Sequence, residues 1–586
     1  DLFKYGYLGK YESMKSSTYE SSFDTITNTP NVKHLNSWDN DTSVLFTPYQ
    51  ENIALANHTS QYYDFYPATF FHANLDRIQL GNGLLNGQTP DRIYGLYTAP
   101  GVVSNGYQEF EQTQLGVNVA AALDISSHEV KFGFQYEQQS SRSFNYAPTE
   151  LWTLMRGLTN FHIGELDTDN PYLVYTDGTY HADDAPSGQF LDTVLYYRKY
   201  DGASQRTFDR NLRVKLGLDP AGVDFIDIDS YDMDNQTINV YDRDGKMTTI
   251  GVGSDLYDIS MFSADELYKE GGNTSLMSSY GYDYNGEKLT GKQSFDDFYT
   301  KQDDNGDFLR HAGAYEPIYM AGYIQDKFDF NGDLVVNVGL RVDRFDANQL
   351  TLKDPYLFFP ARTAGELTQA DYNKMNGGDS KPGNIGEEYI VYVDNVANPT
   401  SITGYRSGDT WYNEVGAVIQ DPAQLDQGSG VSPYLQNTNT NQDLSKDAFQ
   451  DYEPQWAYMP RISFSFPISD EALFFAHYDI LTQRPLGNIR FDPTQYLFYT
   501  QTTTFNNPNL KPKKTIDYEL GFTQKLTNTS SLSIAAYYKE IRNLVQYSRY
   551  AGAYPKDYYT YKNIDFGTVK GLTLTYDLRR TKNVRV

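Results

Sequence analysis

Asp224, Asp227, Asp229, Asp232 and Asp234 crowd five carboxylates into one short segment, and hard oxygen donors at that density are what a divalent cation such as calcium requires. The EF-hand spacing and its central glycine are missing, so the segment suits at most a structural calcium in a loop. Asp303-Asp304-Asn305-Gly306-Asp307 and Asp242-Arg243-Asp244-Gly245 carry similar letters. They read as turns, because an aspartate side chain bonds the backbone amides just downstream of it. Hydrolytic chemistry finds no support: with 8 His scattered along the chain and 0 Cys, no nucleophile is paired with a base and no zinc spacing or phosphate-binding glycine loop occurs. The chain is expected not to be an enzyme, and no cofactor other than that loop calcium is implied.

A second polar set repeats differently. Arg341, Asp343, Arg461, Ser463, Ser465, Asp517 and Glu519 lie at alternate positions of segments whose intervening residues are largely apolar. In Asp333 to Phe345, DLVVNVGLRVDRF, the residues Leu334, Val336, Val338, Leu340 and Val342 fall on one side of an extended strand, and Asn337, Gly339, Arg341 and Asp343 on the other, because strand side chains alternate with a period of two. One face suits hydrocarbon and the other water. In a closed barrel the polar set faces the lumen, where it pairs with itself or with a plug. Trp38, Trp152, Trp411 and Trp456 are placed in the loops, as rings that would stack on a ligand at the mouth.

Composition limits what can hold these faces together. The 586 residues are 39% hydrophobic, with a mean hydropathy of -0.60 and no run of eighteen apolar residues, so a helical membrane protein is excluded. A transmembrane barrel is not, since each strand needs only about nine to eleven residues with half of them apolar. The 52 Tyr against 4 Trp fit rings gathered at two membrane interfaces. A formal charge of -28 argues against nucleic acid, whose phosphates demand a basic footprint.

Along the chain, residues 1–108 are expected to hold barrel strands and an extracellular loop, with a strand through Phe3, Tyr5 and Tyr7 and aromatic bursts at Gln61 to Tyr66 and Thr69 to Phe71. Residues 109–140 form a first barrel hairpin, with Leu115, Val117, Val119, Ala121 and Leu123 on one face and Val130, Phe132, Phe134 and Tyr136 following. Residues 141–314 form a large extracellular loop subdomain, folded because Thr207 could cap a helix carrying Phe208, Leu212 and Leu216 to a stop at Gly217, and Ser263 to Glu266 fits a capping box. Residues 315–586 return to barrel hairpins: Ile318 to Phe328 with Leu334 to Phe345 across Asn331-Gly332, Pro460 to Phe466 with Ala472 to Tyr478, Thr515 to Lys525 with Ser531 to Lys539, then Gly571 to Leu578. Long loops at about 347–457, with a helix at Thr368 to Met375, at 481–513 and at 550–561 separate them. Short turns thus alternate with long loops, as in a barrel with short turns at the periplasmic rim and long loops outside.

Two groups of residues carry a family resemblance. Ala321 to Phe328 (AGYIQDKF) with Asn337 to Phe345 (NVGLRVDRF), and Asn507 to Thr515 (NPNLKPKKT) with Tyr518 to Phe522 (YELGF), resemble the strands of TonB-dependent outer-membrane receptors. Lys513 stands where the family usually has Glu, and Thr573 follows Gly571-Leu572 where many members have Glu. Tyr458 to Ile462 and Thr482 to Pro485 resemble Bacteroidota-type members with a carboxypeptidase-regulatory-like domain. The resemblance implies an all-β fold, a large antiparallel transmembrane β-barrel of about 22 strands, partly covered here, with long extracellular loops carrying short helices. It also implies uptake of a ligand bound at the outer mouth, outer membrane lipid as surroundings, and TonB as energy-coupling partner through an N-terminal plug. Plug and C-terminal strands are expected to lie outside this chain, which opens without a signal peptide and ends without a terminal aromatic. The alternatives are an outer-membrane scaffold or adhesin barrel docking a surface lipoprotein, and a secreted β-rich glycan-binding protein.

Overall fold

The computed structural model describes the chain except for residues 1, 17–18, 25–28, 35–40, 66–74, 76–77, 79–82, 91–105, 176, 187–188, 190, 270–275, 331, 376–379, 429, 441–443, 486, 499–502 and 580–586. Residues 1–109, 143–289 and 300–311 make one compact unit, and 110–142, 290–299 and 312–586 another.

Among the described residues nine long strands dominate the fold: β1 (Tyr107–Ile125), β2 (His128–Tyr146), β3 (Ile318–Phe330), β4 (Leu334–Asp346), β5 (Gln455–Ser469), β6 (Ala472–Gln483), β7 (Lys513–Thr527), β8 (Ser530–Tyr550) and β9 (Tyr558–Leu578). They hydrogen-bond in chain order, each neighbouring pair from β2 to β9 being antiparallel. Four tight turns close the hairpins at one end, with Ser126 and Gly332 at positive φ; Asn331 lies outside the described residues. The sheet is open and does not close into a barrel. Among the described residues β1 pairs with no long strand but β2, and the further neighbour of β9 is the short parallel strand Thr504–Phe505. Nine strands cannot close a ring sized for about 22.

Register aligns like with like across this sheet. Val336, Phe464, Ala476, Leu520, Ala536 and Leu572 form one continuous cross-strand row, and Phe466, Phe474, Phe522, Ile534 and Leu574 form another. Leu520, Phe464, Phe466, Ile534, Leu572 and Leu574 are all exposed, as lipid-facing residues would be. The expected fourth long loop shrinks to residues 551–557, because β8 and β9 pair as far as Tyr550 and Tyr558.

The loop between β4 and β5 folds on itself. A five-stranded sheet runs through Ile390–Val393, Ile402–Ser407 and Thr410–Asn413, over a core that includes Phe358, Tyr392, Trp411 and Leu435. The helix expected before Met375 is Gln369–Met375.

In the other unit the expected strand through Phe3, Tyr5 and Tyr7 is a 3-10 turn, Leu2–Gly6. Phe3 and Tyr7 are buried while Lys4 and Tyr5 are exposed, a spacing of four that suits a helical turn rather than a strand. The first strand there, Gly9–Ser16, pairs with Asp41–Pro48. Helix Thr207–Lys215 buries Phe208 and Leu212 and ends before Gly217 at φ 71; Thr207 sits in its first turn and donates to Asp307 instead of capping. The box at Ser263 is formed, its amide donating to Glu266 Oε2 at 2.8 Å and the Glu266 amide donating back to Ser263 Oγ at 3.3 Å.

The two Asp-Gly segments read as turns are turns, and they recur. At Asp242, Asp283 and Asp303 the side chain accepts from amides two and four residues on, at 2.8 to 3.0 Å. The following Gly245, Gly286 and Gly306 take positive φ. Asn413 does the same for Ala417 ahead of Gly416.

Candidate functional site on the polar face of the sheet

Alternation places the polar strand residues opposite the exposed apolar rows. At β4, Arg341 Nε donates to Asp343 Oδ1 at 2.8 Å, and its Nη2 donates to Tyr319 Oη at 2.8 Å and Gln135 Oε1 at 3.2 Å. Tyr319 in turn donates to Asp343 Oδ2 at 2.6 Å. Three strands thus contribute to one network in which both carboxylate oxygens are satisfied. The Arg484 guanidinium lies 4.2 Å from the Tyr319 ring and 3.7 Å from Glu137.

The row continues across the sheet. Arg461 stands opposite Gly339 and Asp479, Ser463 accepts from Asn337 Nδ2 at 3.3 Å, and Ser465 stands opposite Val335 and Phe475. Glu519 faces His477, whose Nε2 lies 3.9 Å from Glu519 and from Asp479. Asp517, itself buried, takes Lys539 Nζ at 2.7 Å. The seven residues chosen from the sequence therefore share one face. Sequence reading missed Tyr319, Gln135, Asp479 and Lys539 as members, although each has the same strand parity as its partner.

Of the tryptophans expected at the mouth, Trp152 and Trp411 are buried in loop cores. Trp152 is fully buried, donates its Nε1–H to Phe3 O at 2.7 Å, and packs against Tyr7, Tyr231 and Tyr257. Trp411 is buried between Tyr392 and Tyr356. Trp456 is exposed but on the apolar face, opposite Arg344 and two residues from exposed Tyr458. Trp38 lies outside the described residues. The loop cores needed large rings, and that demand is set by tertiary packing rather than local pattern.

The five aspartates do not converge either. Asp227 and Asp229 are buried on strand Phe225–Asp232, which is enclosed on both faces, and Arg156 holds Asp229 through Nε at 2.7 Å and Nη2 at 2.6 Å. Asp232 accepts from the amides of Asp234 and Asn235, and Asp234 is exposed. Asp224 precedes the strand. Calcium needs six or more oxygens around one point, and no group of three or more metal-binding side chains is so placed among the described residues.

Residues 151–584, which hold the strands from β3 to β9, match the family described as TonB dependent receptor-like, beta-barrel. The chain belongs to this family. TonB-dependent receptors sit in the outer membrane and are transporters, not enzymes; as a family they perform energy-coupled uptake with TonB. The soluble glycan-binding alternative falls with that placement. Among solved structures the chain is similar to the copper transporter OprC (8% identity, 81% of this chain and 37% of that one, TM-score 0.28). It is also similar to the Serratia marcescens hemophore receptor HasR (10%, 82% and 48%, 0.27) and to the ferric-catecholate import receptor Fiu from K12 E. coli (9%, 88% and 49%, 0.26). The chain spans less than half the length of each of these structures. No curated protein sequence matches it.

Proposed function

We propose that this chain supplies barrel wall and outer mouth to a receptor that binds a ligand outside the cell and admits it to the periplasm, with energy passed from TonB through a plug. The polar row from Gln135 to Lys539, set against an exposed apolar face in strands of this family, is the observation that carries the reading. In the closed receptor Arg341, Asp343, Arg461, Ser463, Ser465, Asp517 and Glu519 line the lumen, where charges need polar partners. The motifs at Tyr458 to Ile462 and Thr482 to Pro485 favour the Bacteroidota type, and the large acidic loops suit a surface lipoprotein as partner.

The test is whole-cell accumulation of labelled siderophore complexes, cobalamin, oligosaccharides and peptides, in cells with and without the gene and with and without the proton-motive force. Uptake of at least one class that depends on both is expected. If deletion changes none, or the gene-dependent uptake survives loss of the proton-motive force, the reading fails.

A further inference from the structure

Lys514 on β7 and Arg542 on β8 are direct cross-strand partners. They share the outward face with exposed Tyr518, Leu520 and Ile534. Like charges placed opposite each other in a sheet repel, and cations run against the prevailing sign of a chain with net charge -28. The nearby anion is already engaged: Glu540 receives Arg542 Nη2 at 2.9 Å and Tyr538 Oη at 3.4 Å. Asp565 accepts from Gln546 at 2.9 Å. Lys570 lies 5.4 Å from the Tyr538 ring, and the Arg542 guanidinium 5.5 Å from the exposed ring of Phe566. Arg542 thus engages Glu540, and among the described residues no ion pair joins Lys514 or Lys570 to a carboxylate.

Their depth in the sheet is marked by neighbours. Tyr478, Tyr518 and Tyr538 form a cross-strand row with rings 5.1 and 6.1 Å apart. Below it, toward the short turns, run Leu520 and Leu572, and above it, toward the long loops, come Lys514 and Arg542. Tyrosine rings concentrate where hydrocarbon meets headgroups, so the cationic pair stands at headgroup level in the leaflet beneath the long loops.

We propose that Lys514 and Arg542, assisted by Lys570, bind the phosphate of an anionic lipid headgroup in the outer leaflet, with its acyl chains along Leu520, Ile534 and Leu572. A phosphate between the two cations removes their repulsion and accepts charge-assisted hydrogen bonds from both. The proposal rests on outer-membrane placement and is independent of uptake.

The full chain, purified in neutral detergent, is titrated with diphosphorylated lipid A and with its dephosphorylated form, and retained lipid is read by native mass spectrometry. Parent protein is expected to retain the phosphorylated lipid, and K514Q/R542Q to bind it about tenfold or more weakly, the weight of a charge-assisted contact. K514R/R542K keeps both charges and is expected to bind as the parent does, which separates a lost site from a misfolded protein. Equal retention by K514Q/R542Q, equal retention of dephosphorylated lipid, or displacement by millimolar inorganic phosphate would each overturn the proposal, the last by showing a site for a soluble anion.

Discussion

Arg341 and Asp343 are two residues apart on β4, and the network closing over them draws Tyr319 from β3 and Gln135 from β2. Arg341→Ala leaves Asp343 with one donor in a half-buried site, and hydrogen bonds to charged groups contribute about 1.5–3 kcal/mol. A loss of that order is expected in the denaturant midpoint of the protein in detergent, with a smaller additional loss when Asp343→Ala is added, because the second change removes the stranded charge. Asp227 behaves in the opposite sense. Burial, and then the neighbouring Asp229 carboxylate, push its carboxyl up to about 7. The folded state therefore holds this proton where the unfolded chain, with an ordinary carboxyl near about 4, has released it. Between those values the unfolded state binds fewer protons, so Asp227 makes stability fall as pH rises from about 4 to 7, and its effect is flat outside that window. Asp227→Asn is expected to abolish this slope in denaturant midpoints measured across that range. At this scale the sequence shows parity but not exposure: it places Arg341 and Asp517 on one face, and it cannot show that Trp152 and Trp411 are enclosed by segments distant in the chain.

Neighbouring strands lock together through glycine. A Cβ on Gly521 would lie 2.2 Å from Phe475 Cζ, one on Gly133 2.5 Å from Tyr323 Cε1, and one on Gly571 2.3 Å from Tyr537 Cζ. In each case an aromatic ring on one strand covers the bare backbone of the next, a device that fixes register. Gly521→Ala forces the Phe475 ring out of place and is expected to cost about 1–3 kcal/mol, as overpacking does. On β1, Gly116 meets nothing nearer than Tyr136 O at 3.9 Å, so Gly116→Ala is expected to stay within about 0.5 kcal/mol. Urea unfolding of both variants beside the parent reads the difference. Strands of this kind are legible because a two-residue period spans their whole length, as in β4 and β7. The ends of β8 and β9 are not, since beyond Ile541 the pairing shifts through bulges and the alternation breaks there. Capping chemistry made Ser263 readable. The five-stranded sheet in the loop after β4 was not, because strands as short as Thr410–Asn413 offer too few residues for a period to register.

The whole sheet has one face for hydrocarbon and one for water, and its two edge strands leave the ladder unfinished. An exposed apolar face of this extent on a chain otherwise so acidic is stable only in lipid. That claim can be tested by moving one charge through the strand. Leu520 is exposed in the middle of the row from Val336 to Leu572, while Thr523 on the same strand lies on the polar face, bonded to Ser533 at 2.8 Å. An arginine at a lipid-facing position near the bilayer midplane costs about 2–4 kcal/mol, while lumen substitutions chiefly tune selectivity. Leu520 lies one step inside the tyrosine row, so Leu520→Arg is expected to lower folding stability in lipid vesicles by an amount between that midplane figure and the roughly 0–1 kcal/mol of an interfacial site, and Thr523→Arg by less. In a water-facing sheet the order reverses, because Leu520→Arg would only hydrate an exposed site, whereas Thr523→Arg would break a polar contact. The sign of the difference between these two variants, measured in the same vesicles, decides which medium the apolar face meets.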